Sequence, residues 1–145
     1  MGRLLCLDYG RKRVGIAVTD PLKIIASGIE TIPTHQIRDY IRSYLSGGEV
    51  EGIVVGYPKT LRNEPSEAIR YINPFLKWFR KEFPDVLLDL YDERFTSSMA
   101  ERTLIEAGVP KMKRRDKSLV DKISAALILQ SYLDSTKNRE QYPVK

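Results

Sequence analysis

The chain has 145 residues with a formal net charge of +5, and 42% of its residues are apolar. This size and composition predict one globular domain and exclude a disordered chain. One cysteine and one histidine exclude an intramolecular disulfide and argue against a zinc site and against Cys–His or Ser–His–Asp catalytic sets. With no signal peptide and no apolar run of about 18 residues, we expect a cytoplasmic protein without a membrane partner.

The first third of the chain predicts three antiparallel strands joined by tight turns. Residues 3–7 are apolar on both faces, as in a central strand, and large and small residues alternate over residues 14–19. Gly10 suits the turn between these two strands. Residues 24–32 predict a third strand with Gly28 as a bulge.

The rest of the chain predicts helices that alternate with strands. Helices are predicted over residues 34–45, from about residue 63 to residue 83, and over residues 96–107 and 118–133, with strands over residues 52–56 and 86–91. Pro74 is expected to kink or split the second helix, and residues 136–145 are expected to form a loose tail. The predicted fold is an α/β domain spanning residues 1–145, with a mixed five-stranded sheet and helices on both faces.

Three acidic residues lie at the edges of these apolar elements. Asp8 follows the first apolar run, Glu93 follows the fifth strand, and Asp121 lies in the last helix. An acid in such a position usually has a cation or an opening to water, because its desolvation is costly. Sites in such sheets form at the carboxyl ends of strands. Three oxygen ligands without nitrogen or sulfur favour Mg²⁺ or Mn²⁺, as in two-metal cleavage of phosphodiesters.

Positive charge is concentrated in two segments near these acids. One follows Asp8 and the other precedes Asp121. Their members are Arg11, Lys12 and Arg13, and Lys111, Lys113, Arg114, Arg115 and Lys117. Such a cluster is often a solvated face, but the position of both beside the acids favours binding of the phosphates of a nucleic acid.

Four motifs, in this order, resemble those of the YqgF family. They are LDYGRKRVGIAVTD at residues 7–20, VVGYP at residues 54–58, DERFTS at residues 92–97 and DKISAALILQ at residues 121–130. Members of the family are described as Holliday junction resolvases and as nucleases that mature the 5′ end of pre-16S ribosomal RNA. The resemblance spans residues 4 to about 133. It implies an RNase H-like fold and metal-dependent hydrolysis of nucleic acid phosphodiesters.

The resemblance carries the catalytic and metal-binding acids of the family over to Asp8, Glu93 and Asp121. Asp92 is a rival to Glu93, because neighbouring residues of a strand point to opposite faces of the sheet. The resemblance thus leaves one of the three acids with two candidates.

Other residues near the acids have supporting roles on physical grounds. Gly10 would let the backbone turn beside the site. Arg94, like Lys12 and Arg13, could bind a phosphate, or it could instead pair with one of the acids. Thr96 and Ser97 suit the cap of a helix, whose amino terminus can also bind phosphate.

The interpretation we favour is a nuclease that processes the 5′ end of pre-16S rRNA. Basic segments bind the phosphates of RNA and DNA alike, so a Holliday junction resolvase, acting as a homodimer, is an alternative. A nucleic-acid-binding module without turnover is another. An actin-like ATPase domain is the least favoured, because such proteins use two domains of this kind.

Overall fold

The computed structural model describes residues 2–57, 67–92, 108 and 117–141, with side chains for residues 2–57, 69–91, 108 and 119–135. Five strands form one sheet: β1 (Arg3–Tyr9), β2 (Arg13–Thr19), β3 (Ala26–Pro33), β4 (Val50–Tyr57) and β5 (Leu87–Asp92). Their order is β3-β2-β1-β4-β5. The first three are antiparallel, whereas β4 is parallel to β1 and β5 is parallel to β4. The predicted mixed sheet is therefore confirmed.

The described helices are α1 (Ile37–Ser46), which follows a 3-10 turn at Thr34–Gln36, α2 (Glu67–Glu82) and α3 (Lys117–Gln141). Pro74 lies inside α2 and does not split it. The prediction of a loose tail from residue 136 is wrong for residues 136–141, where α3 continues. This stretch is polar but contains neither glycine nor proline, so nothing in it stops a helix. The helix predicted over residues 96–107 lies outside the described residues.

The two faces of the sheet carry separate apolar cores because side chains alternate along each strand. In β1, Leu5 and Leu7 face α1 and α2, whereas Leu4 and Cys6 face α3. The predicted helices on both faces are thus confirmed, and Cys6 is a buried core residue as expected. Asp8 continues the row of Leu4 and Cys6, so its side chain belongs to the α3 face.

The loop between β2 and β3 is organised by Asp20. Its carboxylate accepts backbone hydrogen bonds from Leu22, Ile24 and Ile25 at 3.2, 2.8 and 2.8 Å. These hydrogen bonds lower the pKa of Asp20, and the bond from Ile25 has the largest effect. Asp20 therefore has a structural role in the loop, and it lies beyond the opposite end of β2 from Arg13.

Among the residues that the structure describes, no helix is both long enough and apolar enough to cross a membrane.

Candidate active site

Asp8 and Asp121 are brought together by a glycine. Asp8 pairs with Gly15 of β2, and paired residues of antiparallel strands have Cα atoms about 4.5 to 5.5 Å apart with side chains on one face. A Cβ atom on Gly15 would lie 2.6 Å from the carbonyl carbon of Asp121 and 3.3 Å from its Cβ. Helix α3 therefore contacts the backbone of β2 beside Asp8. Asp8 and Asp121 thus both lie next to Gly15, one as its partner in the neighbouring strand and the other on the helix above it.

Arg13 lies on the same face of β2 as Gly15 and forms an ion pair with Asp121. Its Nε donates to Oδ2 of Asp121 at 2.9 Å. The two side chains are 36% and 29% exposed, respectively, so water and solutes reach the pair. From the sequence, pairing with an acid was considered for Arg94, whereas Arg13 was expected to bind phosphate. The structure places Arg13 in contact with one of the acids.

A second glycine brings α3 close to the edge of the sheet. A Cβ atom on Gly28 of β3 would lie 2.7 Å from both the Cγ and the carbonyl oxygen of Lys122. The irregularity in β2–β3 pairing falls beside it, where Ile16 pairs with Glu30 and Ala17 with Gly28. Gly28 was predicted as a bulge. The bulge lies next to it, and the close approach of α3 adds a second reason for a glycine.

The polar residue Gln130 anchors the same helix further along. Its Oε1 accepts a hydrogen bond from the backbone N–H of Ala26 at 3.0 Å, and its Nε2 donates to the carbonyl of Ile24 at 3.4 Å. The sequence motif at residues 121–130 thus combines a candidate catalytic acid at one end with a contact to the sheet edge at the other.

The turn between β1 and β2 is held in place beside Asp8. The backbone N–H of Gly10 donates to the carbonyl of Arg13 at 2.8 Å, and a Cβ atom on Gly10 would lie 2.7 Å from that oxygen. Thr34 closes the turn from outside, since its hydroxyl donates to the carbonyl of Gly10 at 2.8 Å and its N–H donates to Lys12. The side chains of Arg11 and Lys12 are exposed on this turn, where a phosphate can reach them.

Strand β5 is linked to α3 on the same face of the sheet. The hydroxyl of Tyr132 donates to Oδ2 of Asp89 at 2.8 Å, and the rings of Tyr91 and Tyr132 meet edge to face at 6.0 Å. Asp89 and Tyr91 therefore face α3. The strand ends at Asp92, whose backbone pairs with Tyr57. Strand β4 lies between β1 and β5, so the strands that precede Asp8 and Glu93 in the chain are not adjacent in the sheet.

Tyr9 follows Asp8 but points to the opposite face, where its ring lies 5.3 Å from that of Phe75. Burial raises the pKa of Tyr9, and the positive charge of Arg38 opposes this in part. The phenol therefore stays protonated at neutral pH and is not a base for chemistry at Asp8.

Several predicted site residues lie outside the described residues: Glu93, Arg94, Thr96, Ser97, Lys111, Lys113, Arg114 and Arg115. Of Asp92 and Lys117, the backbone alone is described. Within residues 2–57, 67–92, 108 and 117–141 no group of three acids, histidines or cysteines is placed to hold a metal ion. The described part of the chain thus brings together two acids, and both supply the oxygen ligands that Mg²⁺ and Mn²⁺ prefer.

Sequence reasoning missed the roles of Gly15, Thr34 and Tyr132. Gly15 could have been noticed, because a glycine within a predicted strand often marks a place where another part of the backbone approaches closely. The contacts of Thr34 and Tyr132 join distant parts of the chain, and no local pattern indicates them.

Comparison with known proteins shows that a family model named RuvX, described as Holliday junction resolvase, matches residues 2–135. A protein of Porphyromonas gingivalis, named "Putative pre-16S rRNA nuclease", is 56% identical over 93% of this chain and 98% of its own length. A protein of Phocaeicola vulgatus with the same name is 50% identical over 94% of this chain and 99% of its own length.

Two solved structures share the fold. RuvC of Thermus thermophilus, in complex with a Holliday junction substrate, has a TM-score of 0.60 and 16% identity over 95% of this chain and 97% of its own. The resolvase of fowlpox virus, in complex with Holliday junction DNA, has a TM-score of 0.57 and 12% identity over 92% and 98% of the two chains. At these identities the likeness shows the fold alone, which is RNase H-like as the motifs implied.

Proposed function

Because this chain belongs to the RuvX family, to which the YqgF motifs pointed, we propose that it is a nuclease that hydrolyses nucleic acid phosphodiesters at Asp8 and Asp121, and that its substrate is the 5′ end of pre-16S rRNA. The observation that best supports this proposal is the close approach of Asp121 on α3 to Gly15, the residue that pairs with Asp8. The names of the relatives support the substrate.

The site would bind Mg²⁺ or Mn²⁺ through Asp8, Asp121 and Glu93. Two carboxylates on one face of the sheet suit these ions, because Mg²⁺ and Mn²⁺ prefer oxygen ligands to nitrogen or sulfur. Support for Glu93 over Asp92 comes from β5, because Asp89 and Tyr91 face α3 and strand alternation favours the next odd position for that face. When bound, the metal would activate a water molecule and stabilise the leaving oxygen.

The residues of this chain provide positioning and charge in the proposed reaction. The carboxylates of Asp8 and Asp121 supply the negative charge that attracts divalent ions. Arg11, Lys12 and Arg13 lie on the adjacent turn and strand, where their positive charges would bind the phosphates that flank the cleaved bond. The attacking nucleophile would be water, and the buried phenol of Tyr9 takes no part.

A Holliday junction resolvase is the second candidate, favoured by the description of the matching family model. It would act as a homodimer, because a junction has two strands to cut in symmetric positions. Either function has a nucleic acid as partner. For a nuclease that acts on rRNA precursors we propose a cytoplasmic location.

The test is cleavage of a 5′-extended pre-16S rRNA fragment and of a four-way DNA junction, with Mg²⁺ or Mn²⁺. We expect wild-type protein to cut the RNA at a defined position, and Asp8→Asn and Asp121→Asn to be inactive although folded. Asp134→Asn is the matched control, since it removes an exposed acid from the same helix. Cleavage of the junction alone would favour the second candidate.

If Asp8→Asn and Asp121→Asn cut as well as wild type, these acids are not the site. If the wild-type protein binds both substrates and cuts neither, a binding module without turnover becomes the better explanation. Sedimentation of the protein with and without the junction would measure the homodimer that the second candidate requires.

A further inference from the structure

The ion pair between Arg13 and Asp121 joins residues that are 108 positions apart in the chain. It links a basic residue at the start of β2 to a proposed metal ligand on α3. Because both side chains are about one-third exposed, the pair is open to exchange with ions and substrate. A metal ion that binds Asp121 would meet the charge of Arg13 next to the same carboxylate.

The guanidinium of Arg13 uses Nε for this contact. Its Nη groups carry the other N–H donors of the side chain, and the planar fork that they form suits a phosphate. Arg11 and Lys12, exposed on the adjoining turn, extend the same positive surface. Arg13 therefore adjoins both Asp121 and this positive surface.

A single positive charge beside Asp121 opposes a divalent ion at that carboxylate. For charges about 5 Å apart in a solvent-exposed site, the Coulomb repulsion between Arg13 and the ion corresponds to about a tenfold loss of metal affinity at low salt. A substrate phosphate that binds the guanidinium of Arg13 would reduce this repulsion between Arg13 and the metal ion. Metal and nucleic acid would then each favour the binding of the other.

We propose that Arg13 is a displaceable counter-ion of Asp121, which neutralises the acid when no metal is bound and passes to a substrate phosphate when the metal binds. This inference rests on the proposed function, since it needs Asp121 to be a metal ligand. It assigns to Arg13 a positioning role that couples the two ligands. No covalent bond is made or broken in the exchange; the hydrogen bond from Arg13 to Asp121 is replaced by one to the phosphate.

The test is titration calorimetry with Mn²⁺ on the full chain, at low salt, with wild type, Arg13→Gln and Arg13→Lys. We expect Arg13→Gln to bind Mn²⁺ about tenfold more tightly and to bind a pre-16S rRNA fragment several-fold more weakly when Mn²⁺ is present. Arg13→Lys keeps the charge and should stay near wild type in Mn²⁺ affinity. Arg80→Gln, which removes an exposed charge on α2, should leave the affinity for Mn²⁺ unchanged.

The possible outcomes distinguish a failure of the counter-ion role from a failure of the proposed nuclease function. If wild type binds Mn²⁺ in a manner that depends on Asp8 and Asp121 but Arg13→Gln binds it no more tightly, the counter-ion role is refuted and the nuclease proposal stands. If wild type binds no Mn²⁺, or Asp8→Asn and Asp121→Asn bind it equally well, both are overturned. Circular dichroism of each variant shows whether a loss of affinity is merely a loss of fold.

Discussion

Replacing Gly15 with alanine should damage stability and activity together. The new Cβ would lie 2.6 Å from the carbonyl carbon of Asp121, well inside the 3.4 Å at which ordinary contact begins. The obstacle is helix backbone, which cannot rotate away, so α3 must move outward by about 1 Å, an overpacking that costs about 1 to 3 kcal/mol. In a chain of this length that lowers the melting temperature by about 3 to 10 °C.

The same shift moves Asp121 away from Asp8. A displacement of about 1 Å in a catalytic group can cost about a hundredfold in rate, so Gly15→Ala should cut far more slowly even at temperatures where it is fully folded. Thermal melting followed by circular dichroism measures the first effect, and single-turnover cleavage with saturating Mn²⁺ measures the second.

Gly47→Ala is the matched control for this experiment. Gly47 follows α1, and a Cβ there meets its nearest atom, the carbonyl oxygen of Tyr44, at 3.4 Å, so stability should change by less than about 0.5 kcal/mol. If Gly15→Ala melts and cleaves like wild type, the close approach of α3 does not set the position of Asp121 and the reasoning fails.

Three further predictions concern side chains around the sheet. Tyr132→Phe keeps the ring contact with Tyr91 but loses the hydrogen bond to Asp89, so urea unfolding should show a loss of about 1 kcal/mol; an unchanged midpoint would contradict this. Ser124 has a buried hydroxyl without a hydrogen-bond partner among the described residues. Ser124→Ala should therefore have an unchanged free energy of unfolding, or one higher by up to about 1 kcal/mol, in urea titration. The backbone bonds that lower the pKa of Asp20 stabilise the fold fully above its ordinary value of 3.8, and this contribution is lost as pH falls through the lowered folded-state value. The stability gap between wild type and Asp20→Asn should therefore narrow in acid, and a gap that widens would refute the assignment.

The sequence predicted most of the sheet because alternation is a local signal. The α3 row of β1, with Leu4, Cys6 and Asp8, can be read from the order of residues, and so can the placement of Asp121 on a helix that must cover an apolar face. The insertion of β4 between β1 and β5 could not be predicted, because strand order depends on contacts between segments far apart in the chain.

The pairing of Arg13 with Asp121 was beyond the sequence for the same reason. The distance between these two side chains depends on how closely α3 packs on the sheet, and Gly15 and Gly28 allow that close packing. The sequence shows that these two residues are glycines, but it does not show which residues of α3 they contact. The continuation of α3 past residue 135 was missed because residues 136–141 are polar and lack the apolar spacing that predicts a helix. They continue the helix that precedes them.

The contact of α3 with bare backbone at Gly15 and Gly28 has a consequence for how this protein can change over evolutionary time. A helix that rests on side chains shifts whenever a core residue changes size, whereas α3 rests at these points on main-chain atoms that every sequence shares. Core residues of α3 itself, such as Ala125 and Leu129, pack away from these two points, so substitutions there that conserve volume should change the spacing of Asp8 and Asp121 little. For anyone redesigning the protein, Gly15 and Gly28 are therefore positions to keep, because any added side chain would meet main-chain atoms of α3.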